Sequence, residues 1–143
     1  MNKFRAILAL TALLGLAMLQ GCGGDKVAAM DAERQDLAGH SFVLTKINGE
    51  AHSIKNVPTL GFNEEMRAYG SFCNRFMGQA EVKGGVLTVS QMASTMMMCP
   101  DQVVNNLERD GSQLLMNGAK TSFDGSTLVL SSDDYSLEYR LEK

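Results

Sequence analysis

Three cysteines and a run of methionines are the residues best suited to chemistry in this chain of 143 residues. The cysteines are Cys22, Cys73 and Cys99, and three consecutive methionines, Met96 to Met98, come directly before the last of them. Thioethers and thiolates are soft metal ligands, and cysteines also act as nucleophiles or join in disulfides. Which chemistry applies depends on the compartment in which the chain folds.

The N-terminus has the features of a bacterial lipoprotein signal peptide. Lys3 and Arg5 precede an apolar run of 13 residues from Ala6 to Met18, whereas a spanning helix needs about 20. The next four residues, Leu19-Gln20-Gly21-Cys22, have the order of a lipobox. We therefore predict that residues 1–21 are removed and that Cys22 becomes an acylated first residue.

Acyl chains on Cys22 would make the membrane a partner of this protein without any spanning segment. Three chains exceed the two signals that stable anchoring requires. Gly23, rather than Asp, follows the cysteine, which favours the outer membrane over the inner membrane. The domain itself would then lie in the periplasm.

The charge of the mature chain argues against nucleic acid as a partner. Loss of Lys3 and Arg5 from 13 basic residues leaves 11, against 16 acidic residues, so the formal charge becomes −5. An acidic surface repels phosphate backbones, and the sequence has no basic stripe with interleaved aromatic residues.

The mature chain divides into a tether and one domain. Residues 22–36 are mostly polar and predict an acylated cysteine followed by a flexible tether, with a short helix from Lys26 to Gln35 as the alternative. Residues 37–143 have the length of a single domain.

From Leu37 onward, short strand-like segments alternate with turn residues. Asn48-Gly49 predicts a hairpin with a return strand over residues 51–54, and residues 63–65 and Gly84-Gly85 predict two more. Three further strands are predicted near the C-terminus, over residues 119–123, 127–131 and 136–141.

One segment has helical periodicity. Pro100 suits the first helical position, Asn117-Gly118 the end, and Gly111 a break near Asp110. The apolar stripe of this helix consists of Val103, Val104, Leu107, Leu114 and Leu115. The predicted fold is α+β but mostly β: an antiparallel curled sheet or half-barrel covered by one helix.

Two stretches of the sequence resemble the signature motifs of the META domain family. The first contributes Gly70, Cys73, Asn74, Arg75, Phe76 and Gly78, and the second Ala93, Thr95, Met97 and Cys99. The resemblance extends from about Leu37 to Leu141. It implies a half-barrel with a helix, similar in fold to type III secretion pilot proteins. It also implies links to heat stress and novobiocin resistance, and no established catalytic residues.

If Cys22 is acylated, Cys73 and Cys99 are the two remaining thiols in an oxidising periplasm. We therefore predict a disulfide between them, which would stabilise the domain by about 3 to 4 kcal/mol and pin the helix to the sheet. Asn74 would occupy a positive-φ turn or hydrogen-bond nearby backbone. Gly70 and Gly78 fit bulges or close backbone contacts.

Other uses of these residues remain as alternatives. Four methionines could bind Cu(I), although they are more often packing residues: Met92, Met96, Met97 and Met98. Zinc would need His40 and His52 with the cysteines, which lack the usual spacing. A cysteine nucleophile with His52 as base would need a free thiol. We predict no cofactor and no catalysis.

The expected function is a non-catalytic binding or support role at the cell envelope. The partner would be another envelope protein, or a lipid-like ligand taken into the open side of the curled sheet. Four aromatic residues could line such a groove or form an ordinary core: Phe42, Phe62, Phe72 and Phe76.

Overall fold

Antiparallel strands make up most of the computed structural model, which describes residues 30–143. The signal peptide and Cys22 lie outside the described residues. In chain order, the elements are β1 (Met30–Asp31), α1 (Arg34–Leu37), β2 (Ser41–Ile47), β3 (Glu50–Ala51), β4 (Thr59–Phe62), β5 (Arg67–Ser71), β6 (Arg75–Lys83), β7 (Val86–Ser94), α2 (Gln102–Asn117), β8 (Ala119–Phe123), β9 (Thr127–Ser131) and β10 (Ser136–Leu141).

The sheet closes into a barrel of eight strands, so it has no open side. The order around the barrel is β8, β7, β6, β5, β4, β2, β10 and β9, and β9 pairs back with β8. The prediction of mostly antiparallel strands is confirmed, but the sheet closes completely and is not a half-barrel. Closure leaves fewer strand edges with unpaired backbone groups.

The three predicted hairpin turns are present, and in two of them the backbone conformation matches the residues. Asn48 and Gly49 both have positive φ, at 50° and 81°, as do Gly84 and Gly85. Paired positive φ angles at the two central residues are typical of the turns that join twisted antiparallel strands. The last three strands begin and end where the sequence predicted.

The return strand after Asn48-Gly49 is shorter than predicted, because a histidine replaces its backbone pairing. β3 ends at Ala51, and the ring Nε2 of His52 donates to the carbonyl of Leu44 at 2.9 Å. Ring Nδ1 accepts from the backbone N–H of Ile54 at 3.2 Å. The His52 side chain therefore links β2 to the segment that follows β3 through two hydrogen bonds.

The end of the segment predicted as a tether is packed on the barrel. β1 pairs with β8, and Ala32 is buried in the core. The backbone N–H of Ala32 donates to the carbonyl of Thr121 at 3.0 Å. The packed part of the chain therefore includes residues 30–36, ahead of the predicted boundary at residue 37.

Helix α2 differs from its prediction at the start and in the middle. It begins at Gln102 rather than Pro100, with Asp101 as the N-cap, whose side chain accepts from the backbone N–H of Val103. It continues unbroken through Gly111. A Cβ on that glycine would lie 2.6 Å from Cζ of Phe72, so Gly111 permits close packing of the helix.

One core joins the barrel and the helix. Alternate residues of β6 point inward, and Leu107, Leu114 and Leu115 of α2 belong to the same cluster. Val103, predicted in the buried stripe, is instead 52% exposed. Tyr139 on β10 is fully buried, and this burial raises the pKa of its hydroxyl, with a smaller contribution from Tyr135.

Burial of Tyr139 predicts loss of stability at alkaline pH. Above about pH 10 the unfolded chain releases the phenol proton, whereas the folded chain keeps it because its pKa is raised. The contribution of this tyrosine to stability is fully present below the pKa that it has in the unfolded chain. Above that pKa, the free energy of unfolding falls by about 1.4 kcal/mol per pH unit for each such tyrosine. Burial also raises the pKa of Tyr135, to about 12, so this residue adds to the loss until its own proton is released.

Tyr139→Phe should reduce that alkaline slope without removing the Tyr135 contribution. Urea unfolding measured from neutral pH to about pH 11 gives the free energy of unfolding for both proteins. Parallel curves for the wild type and the variant would contradict the assignment.

Candidate binding cleft

The predicted disulfide joins the β5–β6 turn to the segment before α2. Cys73 and Cys99 are bonded at 2.03 Å, with their Cα atoms 6.1 Å apart. The bond therefore pins the start of the helix to the sheet, as the sequence suggested. In the structure neither cysteine is a free thiol, whereas a cysteine nucleophile would require one.

The Asn74 side chain connects the same two segments without a covalent bond. It is buried, and its Nδ2 donates to the carbonyl of Met97 at 3.2 Å. Its Oδ1 accepts from the backbone N–H of Met97 at 2.6 Å and from the hydroxyl of Thr95 at 3.0 Å. Of the two predicted roles, hydrogen bonding to nearby backbone is correct, and Asn74 does not have positive φ.

Glu108, on α2, stabilises the turn from its other side. One carboxylate oxygen accepts from the backbone N–H groups of Cys73 and Asn74, both at 2.9 Å. Charge-assisted hydrogen bonds of this kind are stronger than neutral ones. Nothing in the sequence distinguished Glu108 from other acidic helix residues, because its partners lie more than 30 positions away.

The remaining motif residues have mainly structural roles. Arg75 and Thr95 are joined by two hydrogen bonds. The Thr95 N–H donates to the Arg75 carbonyl at 3.0 Å, and the Arg75 N–H donates to the Thr95 side-chain hydroxyl at 3.1 Å. Phe76 stacks on Phe72 in the core, with ring centroids 5.2 Å apart. Ala93 lies on the exposed side of β7, opposite Met77.

Both motif glycines allow close backbone contacts, as predicted. A Cβ on Gly70 would lie 2.1 Å from the carbonyl oxygen of Thr59. At Gly78, a Cβ would lie 2.8 Å from the carbonyl oxygen of Ser90, where the pairing of β6 with β7 changes register. The extra residue in β7 is accommodated with positive φ at Gln91.

The methionine run is exposed, which corrects the prediction that these side chains serve as packing. Met96 is 95% exposed, Met97 65% and Met98 97%. Apolar side chains exposed side by side often mark an interaction site. A Cu(I) site that also uses half-buried Met92 stays a prediction. The described residues contain no group of three or more His, Cys, Asp or Glu that could hold a metal ion.

A cleft of about 840 Å³ lies beside the disulfide. Its walls are residues 53–57, residues 71–73 and the stretch between Met97 and Val104. Its apolar lining residues are Ile54, Val57, Phe72, Met97, Met98, Pro100 and Val104. This volume is in the range of small-molecule and peptide-side-chain sites. The loop formed by residues 53–57 was not singled out by the sequence.

The aromatic residues proposed for a groove are core residues. Phe42, Phe62, Phe72 and Phe76 are all buried in the central cluster, and of the four only Phe72 also reaches the cleft. Of the two predicted roles, an ordinary core is therefore the correct one. Within residues 30–143, no helix is both long enough and apolar enough to cross a bilayer.

Asn74→Asp should destabilise the folded protein by about 1 to 3 kcal/mol. The substitution keeps the shape and the acceptor but replaces the donor to the Met97 carbonyl with a second oxygen, in a buried position. Asn56→Asp is the matched control, because Asn56 is exposed and should change stability by less than about 0.5 kcal/mol. The measurement is the free energy of unfolding in urea, and equal effects at both positions would contradict the role given to Asn74.

Comparison with known proteins is consistent with this architecture. The META domain family model matches residues 35–143. Heat shock protein HslJ from Escherichia coli (strain K12) is 36% identical over 143 residues, covering 99% of this chain and 96% of that protein.

Two solved structures have a similar fold. One NMR structure, 36% identical, aligns with a TM-score of 0.68 and covers 74% of this chain and 92% of that one. An NMR structure of a protein from Burkholderia xenovorans, 22% identical, has a TM-score of 0.64 and covers 85% and 97%. The second likeness concerns the fold alone.

Proposed function

Because this chain belongs to the META domain family, we propose that it is a non-catalytic binding domain of the cell envelope whose partner docks in the methionine-lined cleft. The observation that carries the proposal is the exposure of Met97 and Met98 in the wall of a cleft of about 840 Å³, next to the equally exposed Met96. Methionine side chains adapt to different apolar surfaces, which suits a binding site. Of the polar side chains in the cleft wall, Asp101 accepts the backbone N–H of Val103 as the helix cap.

Two further exposed apolar residues lie in or beside this cleft. Val57 is 42% exposed within its wall, and Val103 lies in an adjoining cleft of about 380 Å³ that shares Ser53, Ile54 and Asp101 with it. Burying apolar surface contributes about 25 cal/mol per Å² before the costs of association. A partner that covers both clefts would therefore gain more than one that touches a single methionine.

An oxidising, membrane-anchored location is supported by two sequence features and one structural feature. The lipobox ending at Cys22 would provide the anchor, and Gly23 favours the outer membrane. The Cys73–Cys99 disulfide is of the kind that persists outside the cytosol. The domain would then face the periplasm, where its partner is another envelope protein.

A lipid-like ligand is the second candidate, and the dimensions of the same cleft favour it. Apolar residues predominate in its walls, with Lys55 as a positively charged lining residue. An acyl chain could contact the apolar wall while a phosphate approached the ammonium group. Since the aromatic core fills the barrel, this cleft is where we place such a ligand.

A photo-crosslinking amino acid in place of Met98 should capture the partner in living cells. The matched control is the same amino acid in place of exposed Lys83, at the far end of β6, about 25 Å along the strand from Arg75. We expect a protein-sized adduct from position 98 and none from position 83, read by gel mobility and mass spectrometry. A lipid-sized adduct would instead support the second candidate. No adduct at position 98, or equal adducts at both positions, would contradict docking in the cleft.

A role in heat stress and novobiocin resistance is part of the proposal, supported by the family resemblance and by the name of the heat shock relative. Cells lacking the gene should survive heat and novobiocin less well than the parent strain. The wild-type gene should restore survival, whereas Cys22→Ser should not, because the unanchored protein would leave the membrane. Survival curves and membrane fractionation measure both effects. Unchanged survival of the deletion strain would remove the stress role, and full rescue by the Cys22→Ser protein would remove the need for anchoring.

A further inference from the structure

The methionines of this chain differ widely in exposure, and the run from Met96 to Met98 is at one extreme. Met96 and Met98 are almost fully exposed, and Met97 is exposed over more than half of its surface. Met66, by contrast, is buried in the core. Oxidation of a thioether by a dissolved oxidant follows its exposure. The run is therefore where oxidation of the methionines in residues 30–143 should begin.

The neighbouring cysteines cannot consume the same oxidant. Cys73 and Cys99 are the two cysteines among residues 30–143, and they are joined in a disulfide, so neither presents a thiolate to a peroxide. The thioethers of the run are still in their reduced form and face solvent. Next to the cleft, the sulfur that can still be oxidised thus belongs to methionine.

The fold holds the run through contacts that do not use its side chains. The Asn74 amide bonds to the N–H and the carbonyl of Met97, and the disulfide fixes the segment that follows. An oxygen added to the sulfur of Met96 or Met98 would remain in water. At Met66 the same oxygen would be buried among apolar side chains, which is costly. Oxidation of the run should therefore change the surface and leave stability unaltered.

The affected surface is the wall of the cleft. Met97 and Met98 line it together with apolar residues that include Ile54, Val57 and Pro100. A sulfoxide is polar, whereas a thioether is apolar and adaptable. A partner that covered the sulfoxide with apolar atoms would displace its bound water without replacing the hydrogen bonds. Oxidation therefore turns part of this wall from one that favours an apolar partner into one that disfavours it.

We propose that Met96, Met97 and Met98 are an oxidation site for hydrogen peroxide, and that sulfoxide formation at Met97 and Met98 switches off docking in the cleft. This inference rests on the proposed function and adds its regulation. The sulfur lone pair attacks one peroxide oxygen, the O–O bond breaks, and that oxygen stays on sulfur. Sulfur is oxidised by two electrons, and the other oxygen leaves as water with both peroxide hydrogens.

The reverse step would make the site a switch rather than a lesion. A methionine sulfoxide reductase breaks the S–O bond with two electrons from a dithiol, which becomes a disulfide, and the oxygen leaves as water. Because the sulfoxides of the run lie at the surface, a reductase can reach them without unfolding the domain.

The site is tested by treating the purified full-length protein with hydrogen peroxide and following sulfoxide at each methionine by peptide mass spectrometry. Fragment ions separate the three adjacent positions. Met96 and Met98 should react at least about tenfold faster than Met66, with the half-exposed Met77 and Met116 in between. The midpoint of urea unfolding should not move while only the run is oxidised. Any other order of rates would overturn the site.

The switch is tested in cells with a photo-crosslinking amino acid in place of Val57, which lies in the cleft wall and leaves the methionines intact. Hydrogen peroxide given before illumination should lower the adduct yield about tenfold. The yield should recover after the peroxide is removed, as the reductase acts.

Two double variants separate oxidation of the cleft wall from oxidation of the partner or the rest of the chain. Met97→Leu with Met98→Leu keeps the wall apolar without sulfur, so its adduct should survive the peroxide. Met77→Leu with Met116→Leu is the matched control, because it removes two exposed methionines that do not line the cleft. This control should lose its adduct as the wild type does.

Equal loss in the wild type and in the protein with leucine at positions 97 and 98, or loss in neither, would overturn the switch and leave docking in the cleft intact. If position 57 gave no adduct even without peroxide, the docking proposal would be lost and the switch with it. The order of oxidation rates would still decide whether the run is the oxidation site.

Discussion

The hydrogen bonds between the Asn74 side chain and the backbone of Met97 are the interaction on which the candidate site depends. A buried amide is costly unless its donor and acceptor are both paired, and Met97 supplies both partners. This pairing directs the Met97 backbone inward, so that the backbone of Met96 and Met98 is left facing solvent. One buried side chain thus decides which atoms of the methionine run are available to a partner.

Two further links act on the same turn and explain why so exposed a segment keeps a defined position. The disulfide joins Cys73 to Cys99 across 26 positions of sequence, and the Glu108 carboxylate binds the N–H groups of Cys73 and Asn74. The turn is thereby connected to the sheet and to α2, and the methionine segment is held at both ends. A rigid apolar edge loses less entropy on binding than a mobile loop of the same composition.

Closure of the barrel removes the open apolar face on which the sequence-based ligand hypothesis depended. In the half-barrel that the sequence predicted, an open apolar face would have been the natural binding site. Pairing of β8 with β9 and packing of Phe42 and Phe62 in the core remove that face. The cleft beside the disulfide is formed instead by loops outside the barrel, where residues 53–57 approach the segment before α2.

The sequence by itself determined the features that depend on local residue types, which are the hairpin turns at Asn48-Gly49 and Gly84-Gly85 and the last three strands. It also predicted the pairing of Cys73 with Cys99. Only the tertiary structure decided closure of the barrel, the unbroken helix through Gly111, the role of Glu108 and the exposure of the methionines. Each of these depends on atoms brought together from distant positions in the sequence, such as Gly111 against Phe72. The local sequence pattern does not specify such contacts.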